Sequence, residues 1–148
     1  MYSKIEIDNA KTKILKYIMY KKRTEYEVKN KFSSVFEEDL LNLVIEYLIG
    51  IKYLDDEEYT RKFVKNIMNL KSVSIREIKY KLMQKGISRK IIEKYMEQNQ
   101  EELEKYEIKS ALNIKAKKVK SMELDKIKDI LYKKGYQCRS VDNIKNEE

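Results

Sequence analysis

A nine-residue pattern returns in this chain at a spacing of 49 to 50 residues, and that periodicity limits the possible folds more than any single residue does. Ile78-Lys79-Tyr80-Lys81-Leu82-Met83-Gln84-Lys85-Gly86 recurs as Ile127-Lys128-Asp129-Ile130-Leu131-Tyr132-Lys133-Lys134-Gly135, with Ile, Lys, Leu, Lys and Gly in register. A fainter copy, Val28-Lys29-Asn30-Lys31-Phe32, lies 50 residues before the first. A fixed period of this size marks an array of similar supersecondary units, each too small to bury its apolar face alone and so stacked on its neighbours. Such arrays present surface to a partner more often than they house a reaction centre.

The units read as helical. Proline is absent, and Gly50, Gly86 and Gly135 each follow an apolar-periodic run, where a left-handed residue closes a helix. Ile14, Leu15, Ile18 and Met19 share one helical face, and Leu40, Leu41, Val44, Ile45 and Leu48 share another. Asp8, Thr24, Asp55, Ser74 and Ser88 can each accept a bond from a first-turn amide, and Thr24 with Glu27, or Ser74 with Glu77, has capping-box spacing. These signals predict helices at roughly 8–22, 24–33 and 37–49, then 55–70, 74–85 and 88–98, then 100–118, 122–134 and 138–145. The expected fold class is all-α: three tandem three-helix repeats, at 8–50, 51–98 and 99–146, in one elongated, slightly curved, solenoid-like array. Charged junctions near Lys52 and between Gln98 and Lys105 are the expected unit boundaries.

Composition excludes several function classes. The 148 residues, 42% of them hydrophobic, suffice for one ordinary folded unit, and the mean hydropathy of -0.72 predicts a very polar exterior. The longest apolar segment, Leu40 to Ile51, is broken by Asn42 and Glu46 and falls short of the roughly 20 residues of a membrane span. Met1 to Glu6 lacks the apolar run of a secretory signal, and one cysteine permits no internal disulfide, so a cytoplasmic protein is expected. With no histidine, Cys138 lacks the usual activating base and is read as a packing residue; no transition-metal ligand set is visible. Asp55-Asp56-Glu57-Glu58 stands at a helix start, where the macrodipole favours carboxylates without any ligand. No catalytic set, cofactor motif or phosphate-cradling loop is recognisable, and the chain is read as non-enzymatic.

Charge is uneven. It is about +1 over residues 1–50, +5 over 51–98, -3 over 99–108, +7 over 109–140 and -2 thereafter. Lys115, Lys117, Lys118, Lys120, Lys126, Lys128, Lys133, Lys134 and Arg139 can line one side of the third unit and meet phosphates or an acidic protein groove. Arginine is far scarcer than lysine, which argues against direct base reading. Most of the 12 tyrosines at helical spacing read as packing, with Tyr17 and Tyr20, beside the first basic cluster, as possible stacking or interface residues.

The residues also resemble a family. Thr24-Glu25-Tyr26-Glu27-Val28 after Tyr20-Lys21-Lys22-Arg23 resembles the R-x-R-S-x-x-E-L entry of RecX proteins. Tyr53-Leu54-Asp55-Asp56-Glu57-Glu58-Tyr59-Thr60 resembles their G-Y-L-D-D-x-x-F-A signature, and Ile78 through Ile87 their I-x-x-x-L-x-x-K-G-I. The likeness runs from about Ala10 to Ile144 and departs from the pattern where Lys52 and Ser74 replace glycines and Thr60 replaces a small residue; these exchanges read as conservative for capping. The resemblance implies a regulator of DNA repair, recombination and the SOS response that binds the RecA filament on DNA and inhibits its ATPase and strand exchange. It implies no enzymatic activity and no cofactor. DNA contact would run mainly through phosphates, no membrane is involved, and a monomer is expected. Tyr17, Lys21, Lys22, Arg23, Arg76, Lys79, Lys85, Lys128 and Lys134 are the candidate contact face for RecA or DNA. Rival readings are a DNA-binding regulator acting without RecA and a structural adaptor.

Overall fold

Helix starts and stops set by short polar residues and glycines account for most of the architecture. The computed structural model describes residues 1–117 and 123–146 and contains α1 (Lys4–Tyr20), α2 (Glu25–Phe32), α3 (Glu38–Gly50), α4 (Asp56–Leu70), α5 (Ile75–Gln84), α6 (Arg89–Gln98), α7 (Gln100–Lys117), α8 (Leu124–Lys133) and α9 (Cys138–Asp142), which runs into a 3-10 turn, Asn143–Asn146. Among the described residues there is no strand.

Thr24, Asp55, Ser74 and Ser88 each accept a hydrogen bond from the amide three residues on, and α2, α4, α5 and α6 begin there. Thr24 and Glu27 form the full reciprocal capping box. The first helix starts earlier than expected: Ser3 Oγ accepts from Glu6 N–H, and Asp8 lies inside α1. The charged stretch after Gln98 is likewise no long junction. Asn99 alone separates α6 from α7, its backbone N–H and its side-chain amide both donating to the Tyr95 carbonyl.

At the other ends, Gly86 and Gly135 take φ of +78° and +93° and close α5 and α8 as expected. Gly50 does not. It is the last residue of α3, and the left-handed position falls to Lys52 at φ +67°, where the Tyr53 N–H donates back to the Leu48 carbonyl. A side chain there costs about 1 kcal/mol more than glycine, so Lys52 is a strained choice and not a conservative exchange. Thr60 is compensated: fully buried, it donates its hydroxyl to the Asp56 carbonyl at 2.8 Å.

Three apolar cores follow one another along the chain. Ile14, Val28, Val44 and Leu48 centre the first, Val64, Ile78, Leu82 and Leu103 the second, and Ala111, Leu131, Val141 and Ile144 the third. One polar device, used twice, joins them. At the first seam the Thr24 hydroxyl donates to the Lys85 carbonyl at 2.7 Å while Asp56 Oδ1 accepts from Glu25 N–H at 3.1 Å. At the second, the Ser74 hydroxyl donates to the Lys134 carbonyl at 2.8 Å while Glu107 Oε2 accepts from Ile75 N–H at 2.7 Å. In both, the N-terminus of one middle helix is held between a carboxylate of the next unit's first helix and the glycine turn of the next middle helix. The glycines are needed for space as well as handedness. A Cβ on Gly86 would overlap Tyr26, and one on Gly135 would overlap Arg76. The sequence period is therefore the spacing of the seams. Among the described residues no hydrogen bond or ion pair joins the first core's helices to the third's.

Candidate partner interface

The acidic run at the start of α4 shows how the local charges are used. Asp55 Oδ1 caps Glu58 N–H at 3.1 Å, buried Asp56 serves the seam, Glu57 pairs with Lys94 at 2.9 Å, and Glu58 pairs with Arg61 at 2.6 Å and Lys62 at 3.4 Å. Burial pushes the Asp56 carboxyl up to about 6, the bond from Glu25 N–H only partly opposing it. The Arg61 guanidinium holds Glu58 below its ordinary value. No carboxylate in this run remains without a structural partner.

The expected contact residues fall into different settings. Tyr17 is half-buried, edge-on to Phe32 with centroids 5.6 Å apart, and the Arg23 guanidinium stacks on its ring at 4.0 Å. Arg76 lies across the second seam, donating to the Lys133 carbonyl at 3.3 Å. Lys85 and Lys134 supply the seam carbonyls, and Lys85 Nζ also stands 3.7 Å from Glu27. Lys79 is exposed on α5 beside Met96, Glu97 and Gln137, and Lys128 is half-buried on α8. Lys118 and Lys120 lie outside the described residues.

Lys21, Lys22 and Arg23 converge with Tyr20, which the sequence singled out, and with Met19, Lys52 and Tyr53, which the sequence did not place on the contact face. They border an open groove of about 470 Å³ whose far wall is the α3–α4 loop, with Lys52 and Tyr53, and whose near rim carries Met19 and Tyr20. Tyr20 is 86% exposed and Tyr53 53%. The two acids in the lining, Asp55 and Glu58, are occupied by the α4 cap and by Arg61 and Lys62. Among the described residues, Lys21, Lys22, Arg23 and Lys52 have no carboxylate within ion-pair distance, although Arg61 and Lys62 nearby do. The side-chain contact with Lys62 holds Lys22 below the ordinary lysine value. Arg23 Nε is buried without a hydrogen-bond partner. The groove thus gathers four cations against two carboxylates, with Tyr20 and Tyr53 also in its lining, a net positive arrangement that attracts anions. Lys52, read from sequence only as a unit boundary and a conservative exchange for glycine, carries no contact signal of its own in a lysine-rich chain.

Nothing in the described residues supports metal chemistry, since no three His, Cys, Asp or Glu side chains cluster suitably among them. Cys138 is exposed and free at the start of α9, so it is not the packing residue expected from sequence. No helix among the described residues is long and apolar enough to cross a membrane.

Comparison with known proteins follows the same lines. The model of the RecX second three-helix domain matches residues 55–96. Regulatory protein RecX of Clostridium botulinum strain Eklund 17B is 37% identical over 112 residues, covering 75% of this chain and 50% of the relative. RecX of Finegoldia magna is 36% identical over 129 residues, covering 82% and 63%. RecX of Clostridium perfringens strain SM101 is 30% identical over 146 residues, covering 92% and 68%. The chain thus spans only 50% and 63% of the length of the first two relatives. The crystal structure of RecX from Lactobacillus salivarius superposes with a TM-score of 0.80 at 26% identity, covering 95% of each chain. A second RecX crystal structure, with a TM-score of 0.81 at 22% identity, covers 95% of this chain and shows the same fold. With its seam signature, its three serial cores and these relatives, the chain belongs to the RecX family.

Proposed function

We propose that this chain is a non-enzymatic regulator that binds the filament a RecA-type recombinase forms on DNA and lowers its ATPase and strand-exchange activity. Family membership is the observation that carries the reading. The serial cores and repeated seams support it, because stacked units offer a continuous face able to touch successive protomers of a helical polymer. The net charge of +8 suits a partner that is itself a polyanion with bound protein. Bridging protomers would hinder the movements tied to nucleotide turnover, and occupying the groove would exclude incoming duplex.

The contact face in this reading comprises Lys21, Lys22, Arg23, Lys79 and Lys128, with Tyr17, Arg76, Lys85 and Lys134 holding the surface in shape from the core and the seams. The test is RecA ATPase on single-stranded DNA, with recombinase from the same organism and this protein added at substoichiometric ratios. Loss of ATPase well below one molecule per protomer is expected. An unchanged ATPase across the titration would refute the reading. Charge reversal at Lys79 and Lys128 together should weaken filament binding at physiological salt, and unchanged binding would remove those two from the face.

A further inference from the structure

The two seams share a design but not a strength. Helix α7 belongs to two cores at once, since Leu103 and Tyr106 pack in the second while Ala111 and Ile114 pack in the third. It also packs against both α5 and α6, so one rod runs from the second unit into the third. The first seam has no such rod. The first core draws on residues between Tyr2 and Leu54, and α4 gives Tyr59, Phe63, Val64 and Ile67 to the second. Polar ties divide the same way. Beyond Ser74 and Glu107, the second seam has the Tyr106 hydroxyl, which accepts from Val73 N–H at 3.1 Å and donates to the Lys71 carbonyl at 2.6 Å. The Ser110 hydroxyl adds a bond to the Val73 carbonyl at 3.0 Å, and the Asn113 amide one to Ser72 Oγ at 3.2 Å. Among the described residues the first seam has only the Thr24–Lys85 and Glu25–Asp56 bonds and the Lys85–Glu27 pair at 3.7 Å.

The covalent link there is equally thin. Leu54 belongs to the first unit, its side chain 1% exposed and its N–H donating to the Leu48 carbonyl at 3.2 Å. Asp55, the next residue, caps α4 and belongs to the second unit. Open space flanks the joint on two sides. A groove of about 570 Å³ separates Tyr26 and Asn30 of α2 from Phe63 and Leu70 of α4, and the groove of about 470 Å³ lies between the end of α1 and the start of α4.

We infer that the first three-helix unit turns as a rigid body about the Leu54–Asp55 link, while the second and third units move as one. Bodies joined by a small polar contact move relative to each other unless a large apolar interface stops them, and a few residues at the end of an element absorb the dihedral change. Neither seam bond needs the fold to open before it breaks. Water entering from the grooves can replace Asp56 as the acceptor for Glu25 N–H, and both helices keep their caps, because Thr24 caps Glu27 within the first unit and Asp55 caps Glu58 within the second. The turn carries Lys21, Lys22 and Arg23, at the end of α1, relative to Lys79 on α5 and Lys128 on α8, so one joint sets the spacing of these cations. The joint is a property of the packing and exists whatever partner the chain binds.

The test is double electron–electron resonance on the full chain carrying Cys138→Ser, with spin labels paired at exposed helix positions. Glu46→Cys on α3 with Lys90→Cys on α6 spans the first seam, and Lys90→Cys with Asp129→Cys on α8 spans the second. The first pair should give a distance distribution about twice as broad as the second, because hinge motion adds to the spread of the labels themselves. Asp56→Ala should broaden the first pair further and leave the second unchanged. Equal widths for the two pairs, or broadening of both by Asp56→Ala, would overturn the hinge. Hydrogen exchange on the unlabelled wild-type chain gives a second reading, since Glu25 and Ile75 are each the first residue of a helix and each donates its N–H to a carboxylate across a seam. Relative to its intrinsic rate, Glu25 should exchange about a hundredfold faster than Ile75 and with little dependence on urea below the unfolding transition. Glu25 exchange that rises with urea as steeply as that of Ile75 would show that the first seam opens only when the fold does, and would remove the hinge.

Discussion

Replacing Glu107 by glutamine should destabilise this protein by about 3 kcal/mol, although the side chain keeps its shape and loses a charge that was costly to bury. Glu107 is fully buried on α7. Its Oε2 accepts from Ile75 N–H at 2.7 Å, and its Oε1 accepts from Gln137 N–H at 2.9 Å and from the Ser140 hydroxyl at 2.8 Å. It therefore ties the start of α5, across the second seam, to the start of α9. A carboxamide has one oxygen. Whichever way it is turned, its NH2 faces a backbone N–H, of Ile75 or of Gln137, while the Ser140 hydroxyl can rotate to accept. One buried donor left opposed costs about 1–3 kcal/mol, and each remaining bond loses roughly 1 kcal/mol of charge assistance. Relief of carboxylate desolvation offsets part of this sum, leaving the net of about 3 kcal/mol. With a urea slope near 2 kcal/mol/M, the midpoint should fall by about 1.5 M. Glu107→Leu, which abandons all three donors, should cost about 5 kcal/mol or more, a large share of a typical domain's stability. Hydrogen exchange gives an independent check, since the Ile75 and Gln137 amides should lose protection selectively. A midpoint for Glu107→Gln within about 0.3 M of wild type would refute the reasoning.

Gly86→Ala should cost more than Gly135→Ala in the same titration, about 3 against about 1 kcal/mol. Both take on left-handed strain, but the new methyl on Gly86 overlaps Tyr26 Cβ, which is fixed to the backbone, whereas that on Gly135 overlaps chiefly the Arg76 guanidinium, which can swing aside, with Arg76 Cβ a tight but lesser contact at 3.1 Å. Lys52→Gly should stabilise the fold by about 1 kcal/mol by relieving the strain at φ +67°, read as a higher urea midpoint. Asp56 makes stability fall as pH rises. Its native carboxyl titrates near 6 and the unfolded one near 3.8, so the folded state holds the proton more tightly and loses that advantage between about pH 4 and pH 6. The full difference corresponds to about 3 kcal/mol, which partial solvent contact reduces to roughly 1–2 kcal/mol. Asp56→Asn, still able to accept from Glu25 N–H, should remove this component when urea midpoints at pH 4.5 and pH 7 are compared between variant and wild type.

What could be read from the residues alone was whatever neighbours three or four positions apart decide. Thr24, Asp55, Ser74 and Ser88 cap helices because each side chain reaches the third amide beyond it. Gly86 and Gly135 end helices because backbone sterics permit them positive φ, and the 49–50 residue period announced that one unit was being repeated. The second use of those same groups depended on stacking: that the Thr24 and Ser74 hydroxyls also donate to carbonyls 61 and 60 residues away, and that Glu107, one acid among many in a charged helix, is the buried acceptor of the second seam. The meeting of Lys21, Lys22 and Arg23 with Lys52 and Tyr53 is of the same kind, because it joins segments some 30 residues apart. Local hydrogen bonding and handedness are set by dihedrals that each short segment chooses for itself. Which carboxylate is buried, and which lysines share a groove, follows only once the packed cores have fixed how one unit rests on the next.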